Sequence, residues 1–222
     1  MSRPLRNIFI GVPYHITQRG NDRQQVFHGD ADYQIYLEFL WQYALRYGLE
    51  IWGYCLMPNH IHIIGVPQFE TSLARTFGLG HMRYTQAVHR RDHRSGHLWQ
   101  GRFFAAPLDE EHLSRAVRYV ELNPVRAQLV ATPEAWPWSS ALTHLQGGRL
   151  PGAAYPPDDA LEGWREYLTM EDSLDEIDTI RRRTITGRPI GNAAFITHLE
   201  TIAGIPLNRE RGRPKKEAGQ VE

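Results

Sequence analysis

The sequence is poor in cysteine and has no long hydrophobic run. Its single cysteine, Cys55, excludes an internal disulfide and any cysteine-rich zinc site. No apolar stretch approaches the ~18–20 residues that a membrane-spanning helix needs, and the N-terminus lacks the apolar core of a signal peptide. With 41% hydrophobic and 23% charged residues, the composition is that of a globular protein. We therefore expect a folded cytoplasmic protein that does not associate with a membrane.

The chain also lacks net charge, but the charge is unevenly distributed. Residues 1–130 carry a net charge of +3, residues 131–180 carry −8, and residues 181–216 carry +7. Of the 25 basic residues only Lys215 and Lys216 are lysine, and arginine suits bidentate contacts with phosphates and bases. A polyanion responds to the local field rather than to the total charge. The neutral sum therefore does not exclude a nucleic-acid partner.

Hydrophobic periodicity predicts a β-α-β-β-α-β-α order over the first 130 residues. Strands are expected over 12–19, 49–57, 60–66 and 98–107, and helices over 30–47, 72–95 and 109–123. This order is that of an α+β fold with a ferredoxin-like split β-α-β core, in which an antiparallel sheet has helices on one face. We divide the chain into this domain at 1–130, a connection and helical extension at 131–210, and a basic then acidic disordered tail at 211–222. Within the connection, Trp136 and Trp138 predict an aromatic clasp that holds it to the core.

The pair His60 and His62 is the sharpest candidate for chemistry. Side chains two apart on a strand point to the same face, with about 6–7 Å between their Cα atoms. Two such imidazoles could ligate one cation, or they could simply pack on the face of the sheet. The apolar flank Ile63-Ile64 indicates a buried strand, in which a polar pair needs partners.

A second candidate is Tyr119 together with Asn123. On a continuing helix the i, i+4 spacing places them on one face, about 6 Å apart. Because Asn123 precedes Pro124, the helix could also end there. Taken alone, the tyrosine is better explained by core packing.

Basic and aromatic residues form the third candidate group. They could hold phosphates or stack on bases, or they could be a solvated surface and, for the tryptophan, part of the core. The residues that we single out as possible DNA contacts are Arg19, Arg23, Arg75, Arg83, Arg90, Arg91, Trp99 and Arg102.

Four segments, taken together, resemble the single-tyrosine HUH transposases, and in particular the REP-associated tyrosine transposases. They are YHITQRGNDR at 14–23, MPNHIH at 57–62, LWQGRF at 98–103 and YVELNPVRA at 119–127. The segments occur in the order of the family and the resemblance covers roughly residues 5–145. Two later stretches, 186–191 and 211–215, resemble the C-terminal extension of the same branch.

The resemblance implies a function. It assigns Tyr119 as the nucleophile that forms a 5′-phosphotyrosine, and His60, His62 and Asn123 as ligands of Mg²⁺ or Mn²⁺. Insertion-sequence relatives carry glutamine where this chain has Asn123. The implied partner is single-stranded or hairpin DNA of repetitive extragenic palindromes, cut and rejoined by a monomer rather than a dimer.

Two other interpretations are considered. A His-x-His strand also opens metal-dependent amidohydrolase barrels, but those need about 250 residues of repeated β-α units, which this chain lacks. The alternative that remains is a non-catalytic module that binds single-stranded nucleic acid on a ferredoxin-like sheet.

Overall fold

The computed structural model describes residues 7–154, 163–171 and 173–208. The strands of these residues are β1 (Tyr14–Arg19), β2 (Leu49–Met57), β3 (His60–Pro67) and β4 (Phe104–Pro107). The first helices are α1 (Asp30–Tyr47), α2 (Ser72–Asp92), α3 (Glu110–Glu121) and α4 (Asn123–Arg126). The later helices are α5 (Ala141–Leu145), α6 (Trp164–Thr169), α7 (Leu174–Thr186) and α8 (Ala193–Ala203). The predicted tail at 211–222 lies outside the described residues.

The four strands form one antiparallel sheet in the order β2-β3-β1-β4. This is the strand order of a split β-α-β core, so the predicted α+β class is confirmed. The register pairs Arg19 with His60 and Thr17 with His62. Because side chains alternate between faces along a strand, these four residues share one face of the sheet.

Helices cover both faces of the sheet rather than the one face that we predicted. On one face, α1 and α2 pack against a core that includes Ile16, Ile61 and Ile63. On the other face, α3 and α7 pack against a second core around Ile64 and Val117. The reason is that β3 is apolar at both alternating sets of positions, so each face has surface that must be removed from water.

The helices largely follow the sequence prediction. α1 has the predicted bounds and ends at Gly48, whose φ of 62° lies in the left-handed region that glycine tolerates. α2 ends at Asp92 instead of residue 95, with His93 in the left-handed conformation. Leu122 is the only residue between α3 and α4. Pro124 lies in the first turn of α4, where a backbone N–H has no partner within the helix and is not needed.

The fourth strand is shorter than predicted. Residues 98–103 form a loop with one isolated bridge, between Trp99 and Gly20 just after β1, and regular pairing with β1 starts at Phe104. Gly101 turns the loop with a φ of 61°, and its carbonyl accepts a hydrogen bond from Gln18 Nε2 at 3.0 Å.

The connection is held to the sheet by its tryptophans. Trp136 Nε1 donates to the Leu56 carbonyl at 3.0 Å, and the Trp138 carbonyl accepts from Leu56 N at 2.8 Å. The Trp138 ring stacks on Tyr33 with centroids 4.8 Å apart. This arrangement confirms the predicted clasp.

No helix among the described segments combines the length and apolar character that a bilayer crossing would require.

Candidate active site

A cleft of about 550 Å³ opens on the sheet face that α3 and α7 cover. Residues of the strands form its floor. Its walls come from the C-terminal end of α3 together with α4, and from α7. The residues that line it are His15, Thr17, Arg19, Met57, His60, His62, Gln100, Phe104, Tyr119, Asn123, Arg126, Ala127, Arg181, Thr184 and Ile185. The structure therefore brings the predicted histidine pair, Tyr119 and Asn123 into one place.

His60 and His62 lie side by side at the floor of the cleft, with ring centroids 4.9 Å apart. Burial, and secondarily the charge of Arg19, lowers the pKa of His60 to about 4. Burial lowers the pKa of His62 well below its usual value, with His60 and His15 adding to the effect. Both rings are therefore neutral near pH 7, which is the state in which imidazole binds a metal.

The orientation of His60 is fixed by its neighbour in the β2–β3 turn. His60 Nδ1 lies 2.6 Å from Asn59 Oδ1, and Asn59 Nδ2 in turn donates to the Arg23 carbonyl at 3.2 Å. An amide oxygen can only accept, so Nδ1 of His60 carries the proton. Its Nε2 consequently keeps a free lone pair.

Tyr119 extends from α3 to the histidines and is 5% exposed. Its ring stands edge-on to His62 with centroids 5.5 Å apart, and edge-on to His15 at 5.6 Å. Arg181 Nε donates to the phenolic oxygen at 3.4 Å, and the Arg126 guanidinium lies over the ring, 4.7 Å from its centroid. The phenol is thus surrounded by two imidazoles and two positive charges.

Asn123 lies one turn after Tyr119 on the same side of the helix, as its spacing predicts. Its Nδ2 donates to the carbonyls of Tyr119 at 2.9 Å and Val120 at 3.3 Å. The amide oxygen is the group left to accept or to ligate. In the described part of the chain no cluster of three or more histidine, cysteine, aspartate or glutamate side chains could hold a metal ion. The candidate ligands of the sequence analysis, His60, His62 and Asn123, all line the cleft.

Comparison with known proteins identifies the family. Residues 9–123, just over half of the chain, match the sequence model of the family described as "Transposase IS200 like". The chain belongs to this family. It is therefore a DNA-processing enzyme by family, and all four residues of the candidate centre, His60, His62, Tyr119 and Asn123, fall within the matched segment.

One solved structure shares the fold of this IS200-like transposase. A REP-associated tyrosine transposase bound to a REP hairpin is 22% identical and matches with a TM-score of 0.57, over 68% of this chain and 89% of that one. A second crystal structure, of a protein from Deinococcus radiodurans R1, is 21% identical over 58% of this chain and 92% of that one. Its TM-score of 0.38 is too low to support an inference. No curated protein matches the chain.

The predicted DNA contacts of the transposase are divided between the two faces. Arg19 lines the cleft, and Arg23 lies in the turn that follows β1. Arg102 is exposed in the loop before β4. The four arginines of α2 are also exposed, but that helix packs on the face opposite the cleft. These four are Arg75, Arg83, Arg90 and Arg91.

Two of the predicted contacts have partners within the protein. Arg91 pairs with Asp32 and Asp92. Trp99 is 8% exposed and stacks on His81 with centroids 4.4 Å apart. Of the two interpretations that the sequence left open for Trp99, a stacking surface for bases or a core residue, the structure supports the core residue.

Sequence reasoning missed Arg126, Arg181 and His15. Arg126 follows Tyr119 by seven residues, which is two helical turns and could have placed it on the same face. His15 and Thr17 alternate with apolar residues on β1, which marks the face that they share. Arg181 had no local signal, since it approaches Tyr119 from a helix 62 residues later.

Sequence reasoning also missed a buried polar cluster that involves α3. The Glu121 side chain is fully buried, and its Oε1 accepts hydrogen bonds from Ser140 Oγ and His144 Nδ1, each at 2.6 Å. Its Oε2 accepts from Trp164 Nε1 at 3.0 Å. The cluster ties α3 to α5 and α6, and so fixes the helix that carries Tyr119.

Proposed function

We propose that the protein is a metal-dependent single-stranded DNA endonuclease and strand transferase that acts on hairpin DNA through a 5′-phosphotyrosine. The observation that carries the proposal is the meeting of Tyr119 with the neutral pair His60 and His62 in one cleft. A phenol is a nucleophile only when a neighbouring group helps to remove its proton or to stabilise the charge that remains.

The side chains around Tyr119 suit attack on a phosphodiester. The phenolic oxygen forms a bond to phosphorus and loses its proton to solvent, while the bond from phosphorus to the 3′ oxygen breaks. The leaving oxygen takes up a proton and becomes a 3′-hydroxyl. Arg181, which donates to the phenolic oxygen, and Arg126, which lies over the ring, place positive charge where negative charge develops.

The covalent bond preserves the energy of the phosphodiester. A 3′-hydroxyl can therefore attack the phosphotyrosine, rejoin the strand and release Tyr119 without a nucleotide cofactor. This reversibility is what makes the same centre a nuclease and a strand transferase.

The ligand set fits a divalent cation. His60 Nε2 has a free lone pair, His62 is neutral, and Asn123 lines the same cleft with its amide oxygen available as a ligand. Two nitrogen ligands and one oxygen suit Mn²⁺ better than Mg²⁺, which prefers oxygen. A metal held there would polarise the scissile phosphate and stabilise its charge.

Hairpin DNA is the substrate that the comparison favours. The solved structure that shares the fold holds a REP hairpin, and Arg19, Arg126 and Arg181 give this cleft the charge for a DNA backbone. One chain supplies the histidines and the tyrosine of the cleft. A monomer is therefore sufficient for a complete centre.

The test is a denaturing gel of the protein with labelled single-stranded hairpin DNA and Mn²⁺. We expect label to migrate with the wild-type protein and with Tyr167→Phe, a matched change on α6, but not with Tyr119→Phe. An adduct on Tyr119→Phe would refute the assignment of the nucleophile. Intact DNA binding with no adduct from any protein across a library of hairpins would refute cleavage and favour the binding module.

A further inference from the structure

Helix α7 reaches the histidine pair from outside the segment that defines the family. The matched residues end at 123, whereas α7 spans Leu174–Thr186 and packs on β4 and β1. Its residue Thr184 is 1% exposed, and Thr184 Oγ1 lies 2.7 Å from His15 Nδ1. On the other side of the His15 ring, Nε2 lies 2.9 Å from His62 Nδ1. A chain of two hydrogen bonds therefore runs from the extension to a candidate ligand.

The group at the Thr184 end decides which atoms donate and which accept in these two hydrogen bonds. Thr184 Oγ1 also lies 2.7 Å from the Ile180 carbonyl, which can only accept. The hydroxyl has one proton, so Thr184 donates to Ile180 and must accept from His15 Nδ1–H. A neutral imidazole carries one proton, so His15, which uses its proton at Nδ1, accepts at Nε2 from His62 Nδ1–H. His62 is left with an unprotonated Nε2.

The rings of His15 and His62 are aligned for this bond. Their planes differ by 5° and their centroids are 5.1 Å apart. With the two nitrogen atoms at 2.9 Å, this separation corresponds to an in-plane N–H···N bond rather than to face-to-face stacking. His15 is 1% exposed and His62 is 6% exposed, so competition from water is weak.

We propose that Thr184, acting through His15, is a positioning residue that fixes His62 in the tautomer whose Nε2 is free to ligate the metal. The inference rests on the proposed metal-dependent function and extends it to the C-terminal helix. The other candidate ligand is held in a similar way, since Asn59 accepts a hydrogen bond from Nδ1 of His60 and so fixes its tautomer. A partner of this kind orients the ring and raises its basicity, and its loss costs 10–100-fold in metal affinity in typical sites.

Loss of the Thr184 hydroxyl should reverse the direction of the hydrogen bond between His15 and His62. Without that acceptor, His15 Nδ1–H has no partner, so the ring gains by moving its proton to Nε2 and donating to His62 Nδ1. His62 would then carry its proton on Nε2, which is the atom needed for the metal. Thr184→Val keeps the shape of the side chain and removes the hydroxyl, whereas Thr184→Ser keeps the hydroxyl.

The experiment uses the full-length protein and two readouts other than DNA cleavage. Long-range ¹H–¹⁵N NMR of the metal-free protein reports which ring nitrogen of each histidine is protonated, with His62 assigned by a His62→Gln variant. Calorimetric titration with Mn²⁺ alone reports affinity. We expect wild type and Thr184→Ser to show His62 protonated on Nδ1 and to bind Mn²⁺ alike. Thr184→Val should shift the proton to Nε2 and weaken Mn²⁺ binding by about tenfold or more.

Two results would overturn the inference. One is a wild-type His62 that carries its proton on Nε2, and the other is a Thr184→Val protein with the wild-type tautomer and Mn²⁺ affinity. If the wild-type protein binds no Mn²⁺, the metal part of the proposed function fails. The NMR comparison of the metal-free proteins then still decides whether Thr184 sets the tautomer.

Discussion

Replacing Glu121 by alanine removes one acceptor group that serves three buried donors. These are Ser140 Oγ and His144 Nδ1, both 2.6 Å from Oε1, and Trp164 Nε1, 3.0 Å from Oε2. Glu121 does not line the cleft, so the substitution removes no atom of the candidate centre.

The magnitude follows from the donors that lose their acceptor. Ser140 has a second acceptor in the Tyr54 carbonyl at 3.4 Å and can turn to it. His144 Nδ1 and Trp164 Nε1 then remain, and a buried donor that loses its acceptor costs about 1–3 kcal/mol. We expect Glu121→Ala to lower the free energy of unfolding by about 4 kcal/mol. Glu121→Gln retains one acceptor oxygen and should cost about half as much.

Urea unfolding followed by tryptophan fluorescence measures this loss. With a denaturant dependence of roughly 2–3 kcal/mol per molar, Glu121→Ala should lower the midpoint by about 1–2 M. The matched control is Glu38→Ala, an exposed glutamate within α1, which should change the unfolding free energy by no more than about 0.5 kcal/mol. If Glu121→Ala shifts the midpoint as little as Glu38→Ala, the hydrogen-bonded cluster does not anchor α3.

Three further predictions concern the centre and the core. Arg181→Gln should slow formation of the Tyr119 adduct at least tenfold, whereas Arg182→Gln, 72% exposed and paired with Asp178, should leave the rate unchanged; equal rates would remove Arg181 from the mechanism. His60→Ala should abolish the dependence of adduct formation on Mn²⁺, and an unchanged rate with metal would contradict its role as a ligand. Burial lowers the pKa of His81 from 6.5 to about 3, so below pH 6.5 the unfolded chain binds a proton that the folded chain does not. Stability should therefore fall as pH falls from 6.5 toward 3, and His81→Gln should reduce the slope of unfolding free energy against pH by about 1.4 kcal/mol per unit; an unchanged slope would refute the buried neutral His81.

The local elements of the fold were predictable because their signals are periodic or confined to a few residues. α1 has the bounds that its three- and four-residue spacing predicts. It ends at Gly48, a glycine in the left-handed conformation that commonly terminates helices. β3 places His60 and His62 on one face because the period of a strand is two. Asn123 lies one turn after Tyr119 because Leu122, between α3 and α4, keeps a right-handed helical conformation.

Pairing between distant segments was not predictable from such signals. Trp99 could have been a stacking platform or a core residue, and only the packing of α2 on the sheet, which places His81 against it, decides for the core. The α2 arginines form a basic helix in the sequence, but the face on which that helix packs separates them from the cleft. Helices lie on both faces of the sheet because the second face of β3 is also buried. Part of that burial comes from α7 in the C-terminal extension, whose packing no local pattern predicts.

The sequence by itself determined the strand and helix order, the family motifs, and the three residue types that we propose for a metal-assisted tyrosine centre. These are properties of spacing along the chain, and spacing fixes which side chains share a face. The tertiary structure decided which faces meet. It brought Arg181 to the oxygen of Tyr119, Thr184 to His15 and Trp164 to Glu121 across 62, 169 and 43 residues. Contacts of that range depend on how whole elements pack to remove apolar surface from water, and no local pattern in the chain encodes them.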